Sequence, residues 1–201
     1  MDIKALIFDF GGVLMRTEDL SPRRKWEARF GMRDWDLANL VFGSSIADRA
    51  MVGAASTEEV WAHVAAELGL DADGLAELQH DFWAGDRLDT TITDFVARQR
   101  GRRRTAILSN AWPDARVAFE QFPQLAVAFE LWVISAEEGV AKPDAEIYRR
   151  TLNRLHVQPV EAVFVDDFVH NVEAARALGI HAIHFGKDTD LIGELAALGV
   201  D

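Results

Sequence analysis

The 201-residue sequence contains no cysteine, so disulfides, thiolate metal sites and cysteine nucleophiles are excluded together. A chain without thiols also fits a reducing compartment, and a cytoplasmic location is the expectation. Basic residues are scarce: 21 Lys and Arg stand against 33 Asp and Glu, a formal net charge of −12. Nucleic acid is therefore not an expected partner, because such binding needs Lys and Arg to displace the counterions of the phosphate backbone. No apolar run approaches the ~18 residues that would cross a membrane, and Met1–Phe10 reads as a strand, not a secretion signal. No membrane partner is expected. What remains is an ordinary folded composition, 49% hydrophobic and 27% charged, long enough for one domain with a modest insertion.

Five short apolar runs each end in polar or small residues: Ala5–Phe8, Thr105–Leu108, Leu131–Ile134, Ala162–Val165 and His181–Phe185. Unbroken runs of this length suit strands buried on both faces of a parallel sheet. Helical spacing lies between the later ones, at Asp144–Leu155 and Asn171–Leu178, the second stopped by Gly179. Strand–helix repetition in units of this size predicts an α/β fold with a doubly wound, Rossmann-like parallel sheet of five or more strands.

The stretch from Arg16 to Leu88 differs. It is rich in helix formers at 25–30, 37–42, 58–68 and 75–83, with glycines near the joints and Ser56 or Thr57 as a helix cap. The expected division is a helical cap over residues 16–88 inserted into a core of 1–15 and 89–201. Trp26, Trp35, Trp61 and Trp83 fall in the insertion; most such residues anchor a small helical core, although one or two could line a substrate pocket. The basic run Arg100–Arg104 precedes a strand, at the end away from the ligand edge, and reads as a solvated turn. A last helix within Asp188–Asp201 should pack Leu191, Ile192 and Leu195 on the core.

In open α/β sheets ligands collect at the carboxyl ends of the strands. Asp9, Ser109, Asn110, Asp166 and Asp167 all fall at that edge. One acid after a strand is usually a helix cap, and Ser-Asn alone could be a turn. Three carboxylates together repel one another unless a cation offsets them, and a set of hard oxygen ligands without His or Cys favours Mg²⁺ over zinc.

Four segments, Phe8-Asp9-Phe10-Gly11-Gly12-Val13-Leu14, Leu108-Ser109-Asn110, Gly139-Val140-Ala141-Lys142-Pro143 and Phe164-Val165-Asp166-Asp167, resemble in order the motifs of the haloacid dehalogenase-like hydrolases. The branch most similar holds the phosphatase domain of soluble epoxide hydrolase and related sugar phosphatases, with a helical cap after the first motif. The resemblance implies a Mg²⁺-dependent phosphohydrolase acting on a small phosphorylated metabolite through an aspartyl-phosphate intermediate. Asp9 would be the nucleophile and a metal ligand, with Asp167 the main acidic ligand, Asp166 a direct or water-mediated one, and the carbonyl of Gly11 another. Ser109, Asn110, Gly12 and Lys142 would bind the phosphate, with Ser109 and Lys142 assisting catalysis. Asn171 would support Asp167; His170 would be an exposed bystander, and Arg16, Thr17 and Glu18 could contact substrate at the cap entrance.

One position departs from the pattern. Phosphatases of this family commonly carry a second Asp two residues after the nucleophile, as general acid to the leaving alcohol, and here that residue is Gly11. The missing proton transfer is worth ~10²–10⁴-fold in rate. The leading expectation is a substrate with a good leaving group, such as a sugar anomeric phosphate or an acyl phosphate. The alternatives are a catalytically weak phospho-ligand-binding or regulatory protein, and a metal-independent haloacid dehalogenase, which would not be expected to keep the acidic pair Asp166-Asp167.

Overall fold

The computed structural model describes residues 2–201; Met1, with which the expected core segment opens, lies outside them. The chain runs β1 (Ala5–Phe8), β2 (Met15–Thr17), then α1 (Ser21–Arg29), α2 (Asp36–Phe42), α3 (Ser45–Met51), α4 (Thr57–Leu68) and α5 (Ala72–Ala84). After β3 (Asp86–Leu88) follow α6 (Thr90–Gln99), β4 (Arg104–Ser109), α7 (Ala115–Glu120), α8 (Pro123–Ala128), β5 (Leu131–Ile134) and α9 (Ser135–Glu138). The last third holds α10 (Ala145–Leu155), β6 (Ala162–Asp166), α11 (Val169–Ala177), β7 (His181–His184) and α12 (Leu191–Ala197).

Five strands form one parallel sheet in the order β5-β4-β1-β6-β7. β1 lies in the middle, and its side chains alternate between two apolar layers. Leu6 and Phe8 join a cluster with Val96, Phe119, Leu125 and Leu195, while Ala5 and Ile7 join Ile147, Tyr148, Leu152 and Ala175 on the other face. Burial on both faces explains why the strands read as unbroken apolar runs instead of alternating ones. The doubly wound α/β sheet predicted from those runs is present. Two of the predicted strands run one residue further, so Ser109 and Asp166 are the last residues of β4 and β6 and not loop residues.

The five helices between Ser21 and Ala84 build an apolar cluster of their own around Trp26, Val41, Val60, Trp61, Leu78 and Phe82. Trp35 and Trp83 are about half exposed, so two of the four tryptophans of this segment anchor its interior and two do not. β2 and β3, too short to stand out as apolar runs, pair antiparallel where the segment leaves and rejoins the sheet. Arg16 pairs with Asp89, and Thr17 Oγ1 donates to Asp86 across that ribbon, so these two side chains are engaged in the joint itself.

Two expectations are corrected. Ile192 is exposed, because only Leu191 and Leu195 of α12 face the core. The arginine run is not simply solvated. Arg103 donates to the carbonyls of Ile3 and Gly199, Arg100 to those of Ala126 and Val127, and Arg104 pairs with Glu130. Arg100 and Arg103 thus tie off backbone acceptors at the end of the sheet opposite the carboxyl ends of the strands.

At the joint, Gly85 accepts hydrogen bonds from the amides of Glu18 and Asp19, and a Cβ on Gly85 would lie 1.8 Å from the Asp19 carbonyl oxygen. Gly85→Ala should therefore lower stability by about 1–3 kcal/mol, read as a fall of several degrees in Tm by calorimetry; an unchanged Tm would contradict this packing.

Candidate active site

β1 ends by delivering Asp9 to the carboxyl edge of the sheet, where its amide donates to Val165 O of β6 at 2.8 Å and fixes the residue against the neighbouring strand. β6 delivers Asp166, fully buried, and then Asp167. Lys142 enters from the loop between α9 and α10. Its Nζ lies 2.8 Å from Asp9 Oδ1 and 2.7 Å from Asp166 Oδ2, with its side chain only 1% exposed. The ammonium also lies 5.5 Å from the centre of the Phe164 ring.

Each member of this group is positioned from outside. Asn110, just past β4, donates through Nδ2 to Lys142 O and accepts from Lys142 N, both at 2.8 Å. The Asn110 side chain is thus committed to the Lys142 backbone. The same loop is held from the other end, where Arg150 donates to Glu138 O and Arg154 pairs with the Glu138 carboxylate, locking α9 onto α10. Asn171 of α11 donates to both oxygens of Asp166, at 3.0 and 3.1 Å. The partner of Asn171 is therefore Asp166, not Asp167 as the motif suggested. The amide of Phe168 adds a further hydrogen bond to Asp166 Oδ1, and Tyr148 OH donates to Asn171 O behind it.

Asp167 is held differently. Its Oδ1 is buried without a hydrogen-bond partner among the described residues. Its carboxylate lies against Gly12: a Cβ there would stand 2.1 Å from Asp167 Oδ2, and Gly12 has φ +76°. The Gly12 amide is occupied by Met15 O, so what Gly12 contributes is room for the acid. Gly11 is the opposite case. It is exposed, and a Cβ on it would meet nothing within 4 Å. Ser109 is buried at the end of β4; His170 is exposed, as expected.

Carboxylate oxygens of Asp9, Asp166 and Asp167 lie within 4.8 Å of one another. Three acids against one ammonium leave two negative charges unbalanced. Burial raises the Asp9 carboxyl well above the usual carboxylate range; Lys142 opposes that shift, while Asp166 and Asp167 add to it. Burial also raises Asp167, with Asp166 adding to it. Burial by itself would lower Lys142, but Asp9 and Asp166 outweigh it and hold the ammonium above its ordinary range. An orphaned buried carboxylate oxygen, a glycine cradle beside it and surplus negative charge fit a divalent cation with oxygen ligands.

Sequence reasoning missed Ser135 and Trp112. Ser135 Oγ donates to Met51 O of α3 and accepts from Ala111 N, joining the helical segment to the site loop. Trp112, two residues beyond Asn110, packs inside the helical cluster. Both follow strands at the same edge as the acids, and that position was the available signal.

The family model for haloacid dehalogenase-like hydrolases matches residues 3–179, and the chain belongs to that family of hydrolases. It is 24% identical to the sesquiterpene phosphatase astK of Aspergillus oryzae over 97% of this chain and 96% of that protein. It is 32% identical to bifunctional epoxide hydrolase 2 of Rattus norvegicus over 45% of this chain, yet spans only 17% of that longer protein. A HAD family enzyme from Bacteroides thetaiotaomicron, solved with magnesium and inorganic phosphate, shares the fold at a TM-score of 0.79, 20% identity, covering 96% of this chain and 98% of that one.

The buried triad makes a stability prediction. Removing one partner of a buried charge group costs about 3–5 kcal/mol, so Asp166→Ala should lose stability of that order in urea unfolding. A loss below about 0.5 kcal/mol would mean that Asp166 does not hold Lys142.

Proposed function

We propose that the protein is a Mg²⁺-dependent phosphohydrolase that transfers the phosphoryl group of a small phosphorylated metabolite to Asp9 and then to water. The observation that carries this reading is the meeting of Asp9, Asp167 and Lys142 at one strand edge. Phosphatase-named relatives support it, as does a structural neighbour crystallised with magnesium and phosphate. Asp9, Asp167 and the Gly11 carbonyl would hold the cation, with Asp166 behind them. Bound there, magnesium would offset the charge between a carboxylate nucleophile and a dianionic phosphate.

The residues of the chain do the rest. Lys142 fixes Asp9 Oδ1 at 2.8 Å, leaving the second oxygen to attack phosphorus. Its ammonium also offsets negative charge on the phosphoryl oxygens as the transition state spreads it. Ser109 donates to a phosphoryl oxygen. Asn110 is a positioning residue, since its side chain holds the Lys142 backbone; its own main chain remains available to the phosphate. Asp166 and Asn171 keep Lys142 charged and directed at Asp9. Residues 16–88 form a cap over a core of 1–15 and 89–201. With no acid at position 11, the leaving group departs without a proton from the protein, which restricts efficient substrates to those with good leaving groups.

Hydrolysis of p-nitrophenyl phosphate should require Mg²⁺ and fall to background in Asp9→Asn. Metal-independent turnover, or full activity in Asp9→Asn, would overturn the reading. Gly11→Asp meets no clash at its Cβ and should speed hydrolysis of simple alkyl phosphates by part of the ~10²–10⁴-fold that general acid catalysis supplies. A folded variant with no gain would show that the acid is not what limits those esters.

A further inference from the structure

Two features of the chain bear on the leaving group, an unobstructed residue 11 and an aromatic surface that begins in the loop after β4. The first is that nothing in the fold demands glycine at position 11. No atom stands within 4 Å of its missing Cβ, and its φ lies outside the left-handed region, whereas Gly12 beside it is required on both counts. A side chain could leave residue 11 without a clash at its Cβ, and the chain places none there.

The second is an aromatic surface that starts at the site loop. Trp112 follows Asn110 by two residues, so their Cα atoms lie within about 7.6 Å. The Trp112 ring centre is 5.5 Å from that of Phe42, and Phe42 is 6.0 Å from Trp83. Behind them Phe82 packs on Trp83 at 4.8 Å and Trp61 on Trp112 at 6.3 Å, both edge to face. Phe42 and Trp83 are 42% and 45% exposed while Trp112 is 8% exposed. The surface thus runs from a covered ring near the phosphate-binding loop to two open rings, all held by others. Contiguous exposed apolar rings mark a binding surface, and none of these three carries a positive charge suited to a second phosphate.

We infer that the substrates are aryl phosphate monoesters, with the leaving ring seated on Phe42, Trp83 and Trp112; this rests on the phosphohydrolase reading above. A phenolic hydroxyl has a pKa of about 10, so a phenolate leaves far more readily than an alkoxide, and an acid at residue 11 is dispensable. In the step, an Asp9 oxygen forms the bond to phosphorus while the bond from phosphorus to the aryl oxygen breaks. The electron pair leaves on that oxygen, which takes its proton from solvent. Water then cleaves the aspartyl-phosphate, releasing inorganic phosphate and restoring the carboxylate.

The test compares kcat/KM for naphthyl phosphate, cyclohexyl phosphate and acetyl phosphate with Mg²⁺ present. Acetyl phosphate has a good leaving group and no ring, so it reports the phosphohydrolase reading alone. Naphthyl phosphate should exceed cyclohexyl phosphate by about 10² or more, the scale of an absent general acid. Phe42→Ala and Trp83→Ala, both at half-exposed positions, should each lower the naphthyl-to-acetyl ratio by about fivefold to tenfold, as lost aromatic contacts imply. Trp35→Ala removes a comparably exposed tryptophan outside the surface and should leave the ratio unchanged. Acetyl phosphate turnover that depends on Asp9, with no preference for naphthyl over cyclohexyl phosphate, would overturn the aryl inference and leave the hydrolase. So would a ratio unmoved in both surface variants, or moved as much by Trp35→Ala. No turnover of any of the three would overturn both.

Discussion

The ammonium of Lys142 is the constraint on which the rest of the structure turns. A buried charge is tolerated only when paired and hydrogen-bonded, and this one is held between Asp9 and Asp166 with almost no exposure. To supply those two carboxylates β1 and β6 must be neighbours, which the sheet order provides. Placing the lysine between them requires its loop to be fixed, by Asn110 from the end of β4 and by the Glu138 contacts that join α9 to α10. Satisfying Asp166 in turn requires Asn171 from α11. Elements from both sides of the central strand therefore converge on a single charged atom, and the same convergence aims Asp9.

The loop from Asn110 to Asp114 joins that centre to the helical segment. Asn110 faces Lys142, Ala111 meets Ser135 and through it Met51, Trp112 enters the helical interior, and Asp114 accepts from Thr57 at the start of α4. Five residues link the buried charge cluster to the helical segment. The helical segment also comes close to α9 at Gly53, whose φ is +72° and whose Cβ would stand 2.4 Å from Ala136 O.

Much of the fold was legible because burial on both faces writes each central strand as a short apolar run, and because three of the five runs end at polar or acidic residues that meet at the sheet edge. Asp9, Ser109, Asp166 and Asp167 could be placed on one edge from that punctuation alone. The illegible parts depend on long-range partners. β2 and β3 are three residues each and only partly buried, so no pattern marks them; only their pairing does. The motif assigned Asn171 to Asp167, and sequence proximity alone could not separate the two acids; the turn of α11 directs it to Asp166. Gly12 reads as a phosphate-contacting glycine in the motif, yet the steric demand it meets comes from Asp167, far along the chain. Arg103 sits in a run that looks solvated because its partners, the carbonyls of Ile3 and Gly199, lie near the two ends of the chain.

The central claim is that the carboxylate aimed by Lys142 is the nucleophile. Its most direct test is rapid-quench mass spectrometry of the protein mixed with acetyl phosphate and Mg²⁺, followed by mapping of any phosphorylated peptide. The account predicts a transient phosphoryl group on Asp9 that forms and decays within the turnover time. Turnover with the phosphoryl group on another residue, or with none on the protein at any time, would contradict it.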